Sequence, residues 1–198
     1  MVFRHSLRPP LYNVNNPDNV LLSEEGLLRA REFGNQISLP IGEIHSSHIE
    51  RCVQTSKCII ESKKLNSEVI LSRDVLGDVF SVDRDIANAS IRHFSLKGVI
   101  KKMIDEESVP GLRKMEDCVR DLLDYFFGTG NTIGTVDLYC THDFHIAMLY
   151  AVLFRESATM DEIISNWPDM LEGMVFCGTR NDFWCFWRGR SKHVVNQK

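Results

Sequence analysis

Two histidines far apart in this 198-residue chain each stand beside a charged residue: Arg4-His5-Ser6-Leu7-Arg8 and Thr141-His142-Asp143. A third segment, Ser46 to Arg51, adds another arginine. Brought to one place, Arg4, Arg8 and Arg51 with His5 and His142 make an anion site. Guanidinium forks match phosphate oxygens bidentately, and helix N-termini add N–H donors. Such a pocket holds a phosphomonoester and stabilises charge on a transferring phosphoryl group. A histidine at its floor can attack phosphorus, because surrounding positive charge lowers its pKa and keeps it neutral. The leaving oxygen then needs a separate acid. Asp143, adjoining His142, is the nearest candidate.

Plainer roles stand beside these. Arg51 follows Ser47-His48-Ile49-Glu50, which reads as a capping box, so it could serve a helix end. His142 could be packed at a strand end, and Asp143 could cap a helix while also donating a proton. His45-x-x-His48 and His142-x-x-His145 have metal-ligand spacing, but no cysteine or carboxylate cluster completes either set. No metal and no cofactor are expected. His48 and His145 read as exposed or supporting residues. Gly128-x-Gly130 with Gly134 follows a helix and precedes a strand, the reverse of a dinucleotide loop, so it is a turn. The Cys-x5-Arg spacing of cysteine-based phosphatases is absent. Lys97, Lys101 and Lys102 read as a solvated helix face, with attraction of an anionic substrate as the sharper role. Trp167, Trp184 and Trp187 read as core.

The elements that must position these residues alternate. Met1 to Phe3 is a short strand leading into Arg4-His5. Residues 9–22 hold three prolines and four asparagines and form a loop. Ser23 caps a helix that stops between Gly34 and Leu39. Glu43–Ser46 and Glu68–Leu71 read as strands, with a helix from the capping box between them. Residues 77–110, with Asp78, Asp83 and Asp85 and a helix from Ser90 to Ile104, form a cap insertion over one sheet end. A helix from Leu112 to Phe127, a strand from Thr135 to Cys140 and an apolar helix from Phe144 to Leu153 follow. Met174–Gly178 and Phe183–Trp187 read as antiparallel strands. The alternation predicts a three-layer α/β/α sandwich around a mostly parallel sheet, with ligands at the carboxyl ends of the strands.

Composition agrees. The length fits one domain, 1–198, and 43% apolar residues suffice for a core. A net charge of -4 from 23 basic and 27 acidic residues carries no nucleic-acid footprint. No apolar run approaches a membrane span, and Arg4-His5 interrupts any signal-like start. The six cysteines lack a C-x-x-C pair, so they are expected as reduced, mostly buried thiols in a cytoplasmic protein.

These motifs together resemble the histidine phosphatase superfamily, which includes phosphoglycerate mutases and histidine acid phosphatases. Arg4-His5-x-x-Arg8-x-Pro10 is similar to the R-H-G-x-R-x-P signature of the acid-phosphatase branch. Leu22-Ser23-Glu24-Glu25-Gly26 resembles the L-T-x-x-G helix start, and Ser46-Ser47-x-x-x-Arg51-x-x-x-Thr55 the S-S-x-x-x-R-x-x-x-T segment. Thr141-His142-Asp143 looks like the H-D motif, and residues 167–173 (WPDMLEG) also look familiar from that branch. The motifs run in order through roughly residues 4 to 187. The resemblance implies a phosphoglycerate mutase-like fold, a metal-independent phosphomonoester phosphatase and a phosphohistidine on His5. It implies Arg4, Arg8, Arg51 and His142 as the phosphate pocket and Asp143 as proton donor. The mutase branch uses a carboxylate after the third strand, where Asp78 lies, so Asp78 is the alternative donor. Two departures stand out: Ser6 replaces the family glycine, and only three residues precede Arg4. The substrate is expected to be a small phosphorylated molecule or a phosphoprotein. Competing readings are a mutase-type phosphotransferase, an HD-domain metal hydrolase, which the preceding β-rich strand disfavours, and a non-catalytic phosphate-binding module.

Overall fold

The computed structural model describes residues 1–11, 16–105, 108–130, 132–156 and 159–195. Its centre is one seven-stranded sheet: β1 (Val2–Arg4), β2 (Ile41–Ser46), β3 (Val69–Leu71), β4 (Val136–Thr141), β5 (Gly173–Thr179), β6 (Asp182–Trp187) and β7 (Arg190–Val195). The order is β3-β2-β4-β1-β5-β6-β7. The first four strands are mutually parallel, and β5, β6 and β7 extend the sheet as an antiparallel meander. The α/β sandwich inferred from the alternation is the fold observed, with a mixed sheet.

Helices α1 (Glu24–Gln36) and α2 (Glu50–Lys63) pair on one face. There Phe3, Ile44, Leu138 and Cys140 join Cys52 and Ile59 in a fully buried cluster. Helices α3 (Arg84–Ile104), α4 (Met115–Gly128), α5 (Asp143–Leu153) and α6 (Met160–Ser165) cover the other face. Val2, Tyr139, Met174 and Phe183 point into that larger cluster. The alternation of Val2 with Phe3, and of Tyr139 with Leu138 and Cys140, is the period-two signature of a strand buried on both faces. Helix α5, apolar on every side, is buried over nearly its whole length.

Several boundaries depart from the sequence reading. The loop at 9–22 contains a 3-10 turn at Pro17–Asn19, and residues 12–15 lie outside the described ones. Helix α3 starts at Arg84, capped by Asp83, rather than at Ser90, and it breaks at Ser95, where φ is 63°. Helix α4 starts at Met115 rather than Leu112, because Leu112 bridges to Ser81. Helix α6 and strand β7 were not anticipated. The capping box does not form: Ile49 occupies the cap position with no side-chain bond. Of the six thiols, Cys177 is exposed and the other five are buried. Trp184 is 45% exposed and stacks on His193, so it is not core; Trp187 is buried. Of the two places read for His145 the structure gives the supporting one: it is completely buried, with its ring centroid 5.8 Å from that of His142. Among the described residues no helix is long and apolar enough to cross a membrane.

Candidate active site

Topology does the first part of the assembly. Strands β2, β4 and β1 are parallel neighbours, so their carboxyl ends lie on one edge of the sheet. The chain leaves those ends through Ser47, His142 and His5. Backbone bonds fix the exits: His5 N donates to Thr141 O at 3.0 Å, and Ser47 N donates to Cys140 O at 2.9 Å. Helices α2 and α5 begin there, so two positive helix ends face the same point.

At this edge Arg51, buried on the first turn of α2, joins the two histidines. Its Nε donates to His5 Nε2 at 3.0 Å, and its Nη2 faces His142 Nδ1 at 3.3 Å. Its Nη1 donates to Pro17 O at 2.9 Å. These contacts define both ring tautomers. His5 Nδ1 lies 2.8 Å from the Ser6 carbonyl, an acceptor only, so it carries the proton and leaves the Nε2 lone pair to meet Arg51. His142 accepts at Nδ1, so its Nε2–H donates to Ser47 Oγ at 3.1 Å. Both rings are neutral. Burial, then Arg51, push the pKa of each well below 6.5; Arg4 and Arg8 add to the effect at His5, and His5 and His145 at His142.

Arg4 lies beside His5 on β1. Its Nη2 pairs with Asp143 Oδ2 at 3.0 Å, and its Nη1 donates to Pro168 O at 2.6 Å. Arg8 donates from Nη1 to the carbonyl of Pro9 at 3.0 Å, and burial, then Arg51 and Arg4, lower its pKa. The Nε atoms of Arg4 and Arg8 are buried without an acceptor among the described residues. Three guanidiniums, with the Asp143 carboxylate paired to Arg4 and Asp18 bearing on Arg51, form a cationic cleft that an anion would neutralise.

The structure thus brings together Arg4, His5, Arg8, Arg51, His142 and Asp143. Asp78 pairs with Arg84 rather than with those three arginines: its Oδ1 is 3.6 Å from Arg84 Nε, and Arg84 also pairs with Asp18. Asp18 follows Pro17, whose carbonyl binds Arg51. Leu76, two residues before Asp78, accepts from Thr141 Oγ1 at 2.8 Å, which ties this segment to the end of β4.

Three supporting roles were not read from the sequence. Ser47, taken for a cap, receives His142 and the Ile49 N–H. Thr55 Oγ1 donates to Arg51 O at 2.7 Å and accepts from Ser6 N at 3.0 Å, joining α2 to the His5 loop. Trp167 donates to Asp143 Oδ2 at 3.0 Å. The order of the motif residues was the only sequence signal for Ser47 and Thr55. Lys97 Nζ sits 5.9 Å from the Trp167 ring centroid, and Lys102 Nζ lies 4.9 Å from that of Phe94.

Ser6 is accommodated without positive φ. It is fully buried, and its Oγ donates to Gly26 O at 2.7 Å, away from Arg51 and towards α1. Gly26 must be glycine, because a Cβ there would stand 2.0 Å from Leu7 O. Among the described residues no group of three or more His, Cys, Asp or Glu side chains is arranged to hold a metal ion.

No family model matches the chain, and no curated protein matches it in sequence. Solved structures do match in fold. A mycobacterial glucosyl-3-phosphoglycerate phosphatase aligns with a TM-score of 0.52 at 18% identity, covering 100% of this chain and 97% of that one. A phosphoglycerate mutase from Bacillus anthracis aligns at 0.57 and 14% identity over 98% and 90% of the two chains. A putative alpha-ribazole-5'-P phosphatase from Escherichia coli aligns at 0.51 and 13% identity over 99% and 94%. The architecture is therefore phosphoglycerate mutase-like.

Proposed function

We propose that this chain is a metal-independent phosphomonoester phosphatase of the histidine type, one domain over 1–198 with a cap at 77–110, acting through a phosphohistidine on His5. The observation that carries this reading is the neutral His5 ring, whose Nε2 lone pair faces a cleft of three arginines. The phosphatases and the mutase with the same fold support it.

The incoming phosphate takes the Arg51 N–H donors together with the free Nε–H groups of Arg4 and Arg8. This releases the His5 lone pair, which forms the N–P bond as the P–O bond to the leaving group breaks. His142 accepts from Arg51 at Nδ1, so it contributes to the phosphate site by turning its Nε2–H to the anion. Water then attacks phosphorus, the N–P bond breaks, and inorganic phosphate leaves.

The leaving oxygen needs a protonated acid. Both Asp143 oxygens are already engaged by three donors, Arg4 and Trp167 at Oδ2 and the Phe144 N–H at Oδ1, which suits a residue that positions Arg4. That favours Asp78 as the acid, later the base for water, with Asp143 as the alternative first suggested by the H-D motif. The substrate class stays a small phosphorylated molecule or a phosphoprotein.

The test is hydrolysis of p-nitrophenyl phosphate in EDTA with trapping of an acid-labile phosphohistidine. Activity that persists in EDTA, and disappears with the trapped species in His5→Ala, supports the reading. Full activity in His5→Ala sinks it, and loss in EDTA favours a metal hydrolase.

A further inference from the structure

The segment between α6 and β5, residues 166–172, wraps around Arg4 from three sides. Arg4 N donates to Glu172 O at 2.9 Å, and Leu171 N donates to Arg4 O at 3.1 Å. Pro168 O receives Arg4 Nη1 at 2.6 Å. The half-buried Trp167 completes the wrap by donating its indole N–H to Asp143 Oδ2 at 3.0 Å. Arg4 Nη2 reaches the same oxygen at 3.0 Å. One carboxylate oxygen thus locates both an indole and a guanidinium, while Phe144 N holds the other oxygen at 2.9 Å.

The segment is itself braced. Arg188, in the turn after β6, donates to Asn166 O at 3.0 Å and Trp167 O at 3.3 Å, and pairs with the Glu172 carboxylate. Pro168 restricts Trp167 to extended backbone, and Leu171 keeps φ at 63°, a conformation that leucine rarely adopts. Lys97 from the cap helix lies over the outer face of the Trp167 ring. Trp167 therefore touches the cap on one side and the pocket's counter-ion on the other.

We propose that Trp167 is a positioning residue of the phosphate pocket: its N–H fixes the Asp143 carboxylate, which aims the Arg4 guanidinium so that Nε–H points to the bound anion. The inference rests on reading Arg4 as a phosphate ligand. Trp167 touches no reacting atom and acts through Asp143. The charged and titratable groups that bear on Asp143 are Arg4 from β1, Arg8 from the following loop, Arg51 from α2 and His145 from α5.

Trp167→Phe keeps a ring under Lys97 and removes the N–H. Replacement by benzothienylalanine, with sulfur in place of the N–H, is the isosteric second variant should Phe disturb folding. The Kd for inorganic phosphate, read by calorimetry without turnover, is expected to rise about three- to tenfold in either variant, the size of one lost bond to a charged group. With p-nitrophenyl phosphate, KM should rise by a similar factor while kcat changes less. In the double variant Trp167→Phe/Asp143→Asn, phosphate affinity should match that of Asp143→Asn alone, because the indole acts through that carboxylate. Unchanged phosphate affinity in both single variants, or additive losses in the double variant, overturns the proposal, as does a wild-type protein that binds no phosphate. A wild type that binds phosphate and hydrolyses nothing, with Trp167→Phe still weakening binding, overturns the phosphatase reading and leaves this one standing.

Discussion

Arg51 and His5 meet through a single hydrogen bond, Nε–H to Nε2 at 3.0 Å, which occupies the lone pair that in the proposed mechanism attacks phosphorus. The bond holds the ring aimed and neutral until an anion competes for the guanidinium. Arg51→Lys keeps a cation but loses the fork that spans His5, His142 and Pro17. We expect kcat to fall by about 10²–10³, the cost of removing one charge-stabilising donor set. Steady-state kinetics on p-nitrophenyl phosphate check this; an unchanged kcat overturns the role given to Arg51.

The two candidate acids separate by leaving group. Asp78→Asn should lower kcat about 10²-fold or more on an alkyl phosphate and far less on p-nitrophenyl phosphate, whose leaving group needs no proton. Asp143→Asn should instead raise KM on both substrates alike, because it frees Arg4. Selective loss on the alkyl substrate in Asp143→Asn would return the acid role to that residue.

Much of this site is legible in sequence because its charged members sit at element ends. Arg4 ends β1 and His5 follows it, His142 stands between β4 and α5, and Asp143 and Arg51 lie in the first turns of α5 and α2. Strand alternation and helix caps place such positions without any knowledge of the fold. Ser47 was misread because a hydroxyl three residues before Glu50 satisfies a local capping pattern, while its actual partner is His142, 95 residues away. Trp167 opens the WPDMLEG stretch that resembles the acid-phosphatase branch, yet it was read as core, since an indole on a packed loop looks apolar until its N–H is traced. Strand β7 was hidden by its polar sequence, RSKHVV, which suits an edge strand, and the break at Ser95 involves neither glycine nor proline.

Acid should unfold this protein in a recognisable way. Burial lowers the pKa values of His5 and His142 well below 6.5 and pushes that of His145 down to about 4. Below pH 6.5 the unfolded chain binds protons that the folded chain refuses. Stability is therefore full above about pH 6.5 and falls as pH drops towards the folded values. His145 alone contributes a loss of about 2 kcal/mol at pH 5. Neither nitrogen of His145 has a partner among the described residues. His145→Leu should thus be neutral or stabilising at pH 7 and lose less stability between pH 7 and 5. Urea titrations at the two pH values decide it; an identical loss in variant and wild type refutes the assignment.

The His5 loop depends on one close approach. Gly26→Ala sets a Cβ 2.0 Å from Leu7 O, so α1 and the loop must separate. The expected cost is about 1–3 kcal/mol, with a parallel loss of phosphate affinity as Ser6 leaves Gly26 O. Ser6→Gly should cost about 1 kcal/mol through that same bond. Thermal melts with phosphate titrations measure both, and wild-type behaviour of Gly26→Ala would refute the packing argument.

Strand β1 has its neighbours in β4 and β5, both in the last third of the chain. His5 therefore leaves the ribosome long before its strand can pair, because β1 stays unpaired until residues 136–141 have emerged. Closing so long a loop is entropically costly and slow, so the pocket is completed late in folding. Chains that stop before β4 hold His5 without His142 and without the Thr141 carbonyl that accepts its backbone N–H, so the arginine–histidine cluster closes only after β4 has emerged.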